Sequence, residues 1–183
     1  MNRTEAASLA RRLMNQHGLG HVPFELDRAK RRLGCTHYMF GCVEKITLSA
    51  HYVDLLGEDE IRDTILHEIA HALTPYTEGD SHGAAWRAMA RKIGATPKRC
   101  GTPSAQPEAK YKGKCKGGHD FSCHRLPQNV KVCSNPKCKT KPISERVIRW
   151  SEGGREVRVA HFPLKYRRQM ESLKIEIALG RVS

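Results

Sequence analysis

Residues 64–73 read TILHEIAHAL, and this stretch decides how the chain folds around its most reactive side chains. His67 and His71 are four positions apart, so a helix places both side chains on one face, one turn apart. The apolar residues around them form a stripe that lies mostly away from the histidines: Ile61, Ile65, Ile69, Ala72 and Leu73. The pattern predicts a helix that packs on the core and presents its histidines to a cleft, with an ordinary core helix as the alternative.

Glu68 gives this helix a candidate acid/base beside its candidate metal ligands. It follows the first histidine and is offset from it by about 100° around the helix axis, so it can reach a water on the metal rather than the metal itself. Zinc lowers the pKa of such a water to about 7, which makes hydroxide available at neutral pH. The H-E-x-x-H pattern of metalloproteases combines these two features, and it predicts a zinc site here.

A catalytic zinc usually has three protein ligands and an open position, so a third ligand is needed. His82 is the best candidate, because it begins the next predicted helix in SHGAAWRAMA after a short loop. Gly83 would let the backbone approach the metal, and Trp86 would anchor the helix one turn later. Glu78 and Asp80 are the runners-up, since sites with two histidines and a carboxylate also exist. The remaining alternative is that His82 is a surface residue at a helix start.

The combination of HEIAHAL at 67–73 and GDSHGAAWR at 79–87, preceded by an ITLSAHYV segment at 46–53, resembles the SprT-like family, which includes the Spartan proteases. The resemblance extends over about residues 5–140. It implies a minimal zincin-like metalloprotease that cleaves proteins crosslinked to DNA, followed by a small zinc module. It also implies that His67, His71 and His82 hold the catalytic zinc and that Glu68 is the catalytic acid/base.

Hydrophobic periodicity and turn residues predict an α+β fold in which a small antiparallel sheet precedes the HEIAH helix. The resemblance implies that this helix is the active-site helix and that a small zinc-ribbon-like module follows it, and the local charge makes that module basic. The predicted helices cover 4–17, 59–73 and 82–93, and the predicted strands lie near 22–26, 36–40 and 44–49. A hairpin is expected around Gly153 and Gly154, and a helix near the C-terminus. The expected segments are a protease domain at 1–96, a linker or arm at 97–112, the basic module at 113–150, and a hairpin end with a helix at 151–183.

Positive charge is concentrated in the C-terminal half of this 183-residue chain, whose formal net charge is +13. Residues 1–95 hold 12 basic and 12 acidic side chains, so the whole excess lies in 96–183. This asymmetry favours a polyanionic partner, most often nucleic acid, with a solvated basic tail as the alternative. With no long apolar run and no apolar signal core, we expect a soluble monomer in the cytoplasm, or in the nucleus of a eukaryote, and no membrane partner.

Seven cysteines without a secretory signal argue against a disulfide framework. Several of them cluster in KCKGGHDFSCHRLPQNVKVCSNPKC at 114–138, where four ligands could close a tetrahedral structural zinc site. The predicted ligands are Cys115, His119, Cys133 and Cys138. Cys123 is the main rival to His119, because the segment lacks the regular C-x₂-C knuckles of a zinc ribbon. Packing of the cysteines in a small metal-free core is the other alternative.

Basic and aromatic side chains surround this cysteine cluster, a combination that suits single-stranded DNA because cations neutralise phosphates and aromatic rings stack on bases. The predicted DNA contacts are Lys112, Lys114, Lys116, Arg125, Lys131, Lys137 and Lys139. Tyr111, Phe121 and Trp150 are the aromatic candidates, unless they form the core of the module instead.

Taken together, the motifs favour a zinc metalloprotease that acts on proteins bound or crosslinked to DNA, with one catalytic and one structural Zn²⁺. The competing hypothesis is a DNA-binding protein whose HEIAH site is structural or inactive. Glu68 argues against it, because a purely structural site needs no carboxylate at that position. A small-substrate zinc hydrolase is a third, weaker interpretation, which the strongly basic C-terminal half does not support.

Overall fold

The structure, a computed structural model, describes residues 1–74, 81–98, 103–139 and 141–182. It divides into two compact units, Met1–Pro107 and Glu108–Ser183, each with its own hydrophobic core. The finer division of the sequence into four segments stays a prediction. No helix in the described ranges combines the length and the apolar character needed to cross a membrane.

The first unit begins with helix α1 (Arg3–Gln16), whose start is fixed by a reciprocal cap. The side chain of Asn2 accepts a hydrogen bond from the Glu5 N–H at 2.9 Å, and the Glu5 carboxylate accepts one from the Asn2 N–H at 2.7 Å. Two backbone donors that a helix start leaves unpaired are thereby satisfied. The buried face of the helix follows the predicted spacing: Ala6, Leu9, Ala10, Leu13 and Met14.

A three-stranded sheet follows, made of β1 (Phe24–Asp27), β2 (Gly34–Met39) and β3 (Cys42–Ser49). Its order is β1-β3-β2, with β2 antiparallel and β1 parallel to the central β3. The prediction of an antiparallel sheet is therefore correct for one pair of strands and wrong for the other. The second half of β3 is fully buried, in keeping with its central position in the sheet. The chain crosses from one edge of the sheet to the other between β1 and β2.

Three helices complete the first unit: α2 (Ala50–Val53), α3 (Glu58–Leu73) and α4 (Ala84–Ile93). Acidic residues fill the first turn of α3, where negative charge suits the helix dipole. The predicted stripe of α3 is buried at Ile61, Ile65 and Ile69, and the helix packs against α1, α4, β2 and β3. The histidines of α3 lie on the side of the helix away from this stripe, as the sequence predicts.

The second unit is built on a four-stranded antiparallel sheet of order β5-β4-β6-β7. Its elements are β4 (Tyr111–Lys114), β5 (Asp120–Cys123), α5 (Ile143–Arg146), β6 (Arg149–Glu152), β7 (Arg155–Glu156) and α6 (Leu164–Ala178). The predicted hairpin joins β6 and β7 through Gly153 and Gly154, which both have positive φ, at 55° and 81°. Glycine adopts this left-handed backbone without the usual steric cost.

The C-terminal part of the chain completes the core of the second unit. Phe162 and Tyr166 stack with ring centroids 4.0 Å apart, and both are buried with Tyr111, Ile148 and Trp150. Residues after the predicted basic module thus supply two of the five side chains in this core. The first strand, β4, begins within the segment predicted as a linker, because Tyr111 is needed in the same core.

The hairpin between β2 and β3 contains a strained and exposed aromatic residue. Met39 pairs with Cys42, so Phe40 and Gly41 form a two-residue loop, and both have positive φ, at 50° and 79°. Phe40 is the one non-glycine residue with positive φ in the described chain, and its side chain is 99% exposed. A bulky residue in this conformation is disfavoured by its Cβ, and here the ring gains no burial in return.

Phe40→Asn should stabilise the protein, because Asn-Gly is a preferred pair for a two-residue loop with two positive φ angles. We expect the free energy of unfolding to rise by about 1 kcal/mol. Urea unfolding of the whole chain measures the change. Phe40→Ala is the matched control, since it removes the ring but keeps a Cβ at the strained position. A gain of equal size in both variants would attribute the effect to the exposed ring rather than to the backbone.

Candidate metal centres

The three predicted histidine ligands come together in the first unit. His67 and His71 lie on α3, and His82 lies in the turn immediately before α4. The three Nε2 atoms are 3.1–3.2 Å from one another. The runners-up for the third ligand, Glu78 and Asp80, fall outside the described residues.

This arrangement of nitrogens fits a metal ion better than it fits hydrogen bonds. Each Nε2 carries either a proton or a lone pair, so among three nitrogens at least two must be of the same kind and cannot bond to each other. At a Zn–N distance of about 2.0–2.1 Å, tetrahedral ligand nitrogens lie about 3.3–3.4 Å apart, close to the spacing found here. The residues present therefore fit a three-histidine zinc site.

The local environment keeps two of these imidazoles, those of His67 and His71, in the neutral form that ligates metals. Burial, together with the neighbouring His82, lowers the pKa of His67 to about 4. Burial and the two facing histidines likewise lower the pKa of His71 to about 4. Both side chains are thus uncharged at neutral pH, and each offers a lone pair without first losing a proton.

Trp86 forms one wall of the histidine site. The indole is 1% exposed, and its ring centroid lies 4.6 Å from that of His67, 5.2 Å from that of His71 and 4.5 Å from that of His82. Trp86 is on α4, one turn after His82, so its burial ties the start of α4 to the histidine face of α3. The Ser81 hydroxyl, 3.1 Å from Nδ1 of His82, provides a further polar contact for the third ring.

Glu68 is buried beside the histidines, with 6% of its surface exposed. The Thr36 hydroxyl lies 2.9 Å from Oε2 of Glu68 and 2.9 Å from its backbone carbonyl. Burial raises the pKa of Glu68 to about 7, while the hydroxyl and N–H of Thr36 and the charge of Arg32 act in the opposite direction. A carboxyl group balanced in this way can both accept and return a proton near neutral pH.

Two further residues of β2 contact α3, and neither was singled out from the sequence. A Cβ at Gly34 would lie 2.8 Å from Cγ of Glu68, so only glycine leaves room for that side chain. The Tyr38 hydroxyl donates a 2.8 Å hydrogen bond to the carbonyl of His71. Together with Thr36, these residues occupy alternate positions of one strand, a signal that becomes readable once the strand is known to pack on α3.

The second unit brings together the four predicted ligands Cys115, His119, Cys133 and Cys138. Nδ1 of His119 lies 3.5 Å from Sγ of Cys115, 3.6 Å from that of Cys133 and 3.2 Å from that of Cys138. These spacings suit a tetrahedral site, for which a Zn–S distance of about 2.3 Å places neighbouring ligands about 3.5–3.8 Å apart. Cys123, the rival ligand, is not part of the cluster.

The surroundings of the cysteine cluster favour a cation. Burial and the thiols of Cys133 and Cys115 raise the pKa of Cys138 to about 11, because neighbouring thiolates repel each other. Burial would also raise the pKa of Cys115, but hydrogen bonds from His119, Cys133 and Gly117 lower it to about 6. A Cβ at Gly117 would lie 2.5 Å from Sγ of Cys138, so glycine is required for the close approach of the ligands.

The predicted DNA-contacting cations fall into two groups. Lys112 and Lys114 form exposed ion pairs with Glu108 and Asp120, at 2.9 Å and 3.3 Å. The others form no ion pair with a described residue: Lys116, Arg125, Lys131, Lys137 and Lys139. The second group can therefore meet a polyanion without first losing an intramolecular partner.

The predicted aromatic contacts also separate. Tyr111 and Trp150 are 9% and 5% exposed and belong to the core of the second unit, as the alternative interpretation held. Phe121 is half-buried and lines a shallow pocket with His119 and Asn135. Of the three candidates, Phe121 is the least buried, and it too packs against the core of the second unit and against the cysteine cluster.

Comparison with protein families identifies the first unit. Residues 5–108 match the model of the SprT-like family, which is more than half of the chain, so the protein belongs to this family. The match covers the three histidines and Glu68 and ends before the cysteine cluster. Curated proteins and solved structures yield no match to the chain. Family membership suggests a metallopeptidase, in agreement with the three-histidine site.

The two clusters should bind metal independently. His71→Ala is expected to remove the zinc of the histidine cluster and to leave that of the cysteine cluster, whereas Cys133→Ser should do the reverse. Elemental analysis of the purified chain gives the zinc content of each variant. Cys123→Ser is the matched control and should retain the full zinc content, because Cys123 lies outside the cluster. A loss of zinc in the control would contradict the assigned ligands.

Proposed function

We propose that this SprT-like protein is a zinc-dependent metalloprotease that cleaves proteins bound or crosslinked to DNA. The observation that carries the proposal is the convergence of three Nε2 atoms at 3.1–3.2 Å beside the buried Glu68. A structural zinc site is normally closed by four protein ligands, whereas three histidines leave a position for water and substrate. The adjacent carboxylate of Glu68 can then act as a general base on a water at that open position.

His67, His71 and His82 would hold the metal through their Nε2 atoms. When bound, zinc acts as a Lewis acid on the peptide carbonyl and lowers the pKa of a water to about 7. Glu68 takes a proton from the attacking water at a carboxylate oxygen and later delivers it to the nitrogen of the leaving amine. Burial of Glu68 favours this exchange, because it brings the affinity of the carboxylate for a proton close to that required at neutral pH.

The sheet offers a place for the substrate backbone. β2 is an edge strand in the described sheet, and its inward side chains contact Glu68 and His71. An extended peptide can add to such an edge through backbone hydrogen bonds, which depend little on the identity of the side chains. This mode of binding suits a protease that acts on many different proteins. Because it selects substrates only weakly, a separate restriction on which proteins are cleaved would be useful.

The basic second unit would supply that control by binding DNA. Five of its predicted DNA-contacting cations have no acidic partner among the described residues, and Phe121 lies at the edge of a pocket. Single-stranded DNA suits this combination, because cations without an acidic partner can pair with phosphates and unpaired bases can stack on the exposed part of the Phe121 ring. Cleavage would then be restricted to proteins held on DNA.

Glu68→Gln tests the proteolytic activity. We expect the rate of cleavage of a protein crosslinked to a single-stranded oligonucleotide to fall by about 10²–10⁴-fold, because the amide cannot accept the proton. The zinc content should not change, since Glu68 is not a ligand. Electrophoresis of the cleavage products and elemental analysis provide the two measurements. A wild-type chain that binds zinc and DNA but cleaves nothing would favour the competing hypothesis of a DNA-binding protein.

Lysine substitutions test the DNA-binding role. Lys137→Ala and Lys139→Ala should weaken binding to a single-stranded oligonucleotide, and each should reduce the slope of log affinity against log salt concentration by about 0.7. Lys114→Ala is the matched control, because this cation is already paired with Asp120, and it should have a smaller effect. Fluorescence anisotropy over a salt series measures both quantities. Equal effects at paired and unpaired lysines would argue against a defined DNA surface.

A further inference from the structure

We propose that the inward face of β2 is a positioning device that holds Glu68 and the ligand-bearing turn of α3 in a fixed relation. The face consists of Gly34, Thr36 and Tyr38, alternate residues of β2 that all contact α3, although the pairing of β2 with β3 is irregular between His37 and Tyr38. The proposal rests on the proposed function, since it concerns how the base of that reaction is held. The proposed role of these three positions is not substrate binding; they act through their contacts with α3.

Thr36 holds the carboxylate. Its hydroxyl is 2.9 Å from Oε2 of Glu68 and 2.9 Å from the carbonyl of the same residue, and it donates its single proton to one of them at a time. Both acceptors belong to Glu68, so the side chain is tied back to its own stretch of helix. A glutamate has three rotatable side-chain bonds, and this contact limits the orientations that its oxygens can take.

Gly34 makes room for the same side chain. A Cβ at this position would lie 2.8 Å from Cγ of Glu68, 3.0 Å from its Oε1 and 3.1 Å from the carbonyl of Thr47. The φ of Gly34 is not positive, so the demand for glycine comes from space rather than from backbone conformation. Glycine weakens a strand, and its use here indicates that the close approach of Glu68 matters more.

Tyr38 contacts the last turn of α3, which carries the metal ligand candidate His71. Its hydroxyl donates to the carbonyl of His71 at 2.8 Å, in the last turn of α3, where the same carbonyl also accepts the N–H of Thr74 at 3.2 Å. One strand therefore contacts both the base and the turn that carries a metal ligand. Any sliding of α3 along β2 would break both contacts at once, so β2 holds α3 in register while the Thr36 hydroxyl orients the Glu68 carboxylate on that helix.

The decisive experiment compares Thr36→Val with Thr36→Ser. Valine keeps the branched shape and loses the hydroxyl, whereas serine keeps the hydroxyl. With casein as the substrate and a single-stranded oligonucleotide present, Thr36→Val should lower kcat by about 10–100-fold with little change in KM, because the base is misplaced after the substrate binds. Thr36→Ser should restore most of the activity, and the zinc content should be equal in all variants.

A matched control and a readout without activity separate positioning from simple packing. Thr64→Val removes a hydroxyl that bonds a carbonyl within α3, and it should leave kcat unchanged. In the metal-free chain, the effects of Thr36→Val and Glu68→Gln on the unfolding midpoint should be less than additive, since both remove the same contact. Gly34→Ala should lower kcat further; if it fails to fold, the Thr36 variants decide.

The outcomes are distinguishable. Wild-type kcat in Thr36→Val, or strictly additive midpoints, would overturn the positioning role even if the protease activity is real. A wild-type chain that cleaves nothing would instead remove the proposed function, and the additivity of the midpoints would still decide whether Thr36 holds Glu68. A fall in kcat that serine rescues, together with non-additive midpoints, supports the proposal.

Discussion

Three imidazole Nε2 atoms directed at one another form an arrangement that no assignment of protons can satisfy, and the first unit is organised to maintain it. Two of the rings are fixed by the geometry of a single helix, because His67 and His71 are one turn apart on α3. The third depends on a separate element, and Trp86 ties that element to the others by packing against all three rings. The fold thus holds an arrangement that a cation can stabilise, at a cost in stability when none is bound.

The second unit has few apolar side chains with which to form a hydrophobic core. Its main core contains five buried residues, and a separate cluster consists of the three cysteines Cys115, Cys133 and Cys138. Units of this size commonly need a disulfide or a metal to fold. Here the three buried cysteines form part of the interior of the unit. Formation of the sheet and binding of a metal by the cysteine cluster are therefore expected to depend on each other.

Features that depend on short-range spacing were predictable from the sequence, whereas those that depend on strand pairing were not. The histidine pair follows from helix geometry, and the number of ligands that zinc requires directed attention to His82 and to the cysteine cluster, whose predicted members the structure brings together. The direction of β1 was missed because the sequence of a short strand does not show which neighbour it pairs with. Thr36 and Gly34 were missed for a related reason: their targets on α3 are set by packing, and the same residues elsewhere would be ordinary strand positions.

The chain contains two tryptophans, and they are divided between the two units. Trp86 lies against the three histidines, and Trp150 is buried in the core of the second unit. The indole groups therefore serve as two intrinsic optical probes, one for the occupancy of the histidine site and one for the folding of the basic unit. With either indole replaced by another aromatic ring, the fluorescence of the remaining one follows a single unit, so metal loading and folding can be observed separately without an added dye.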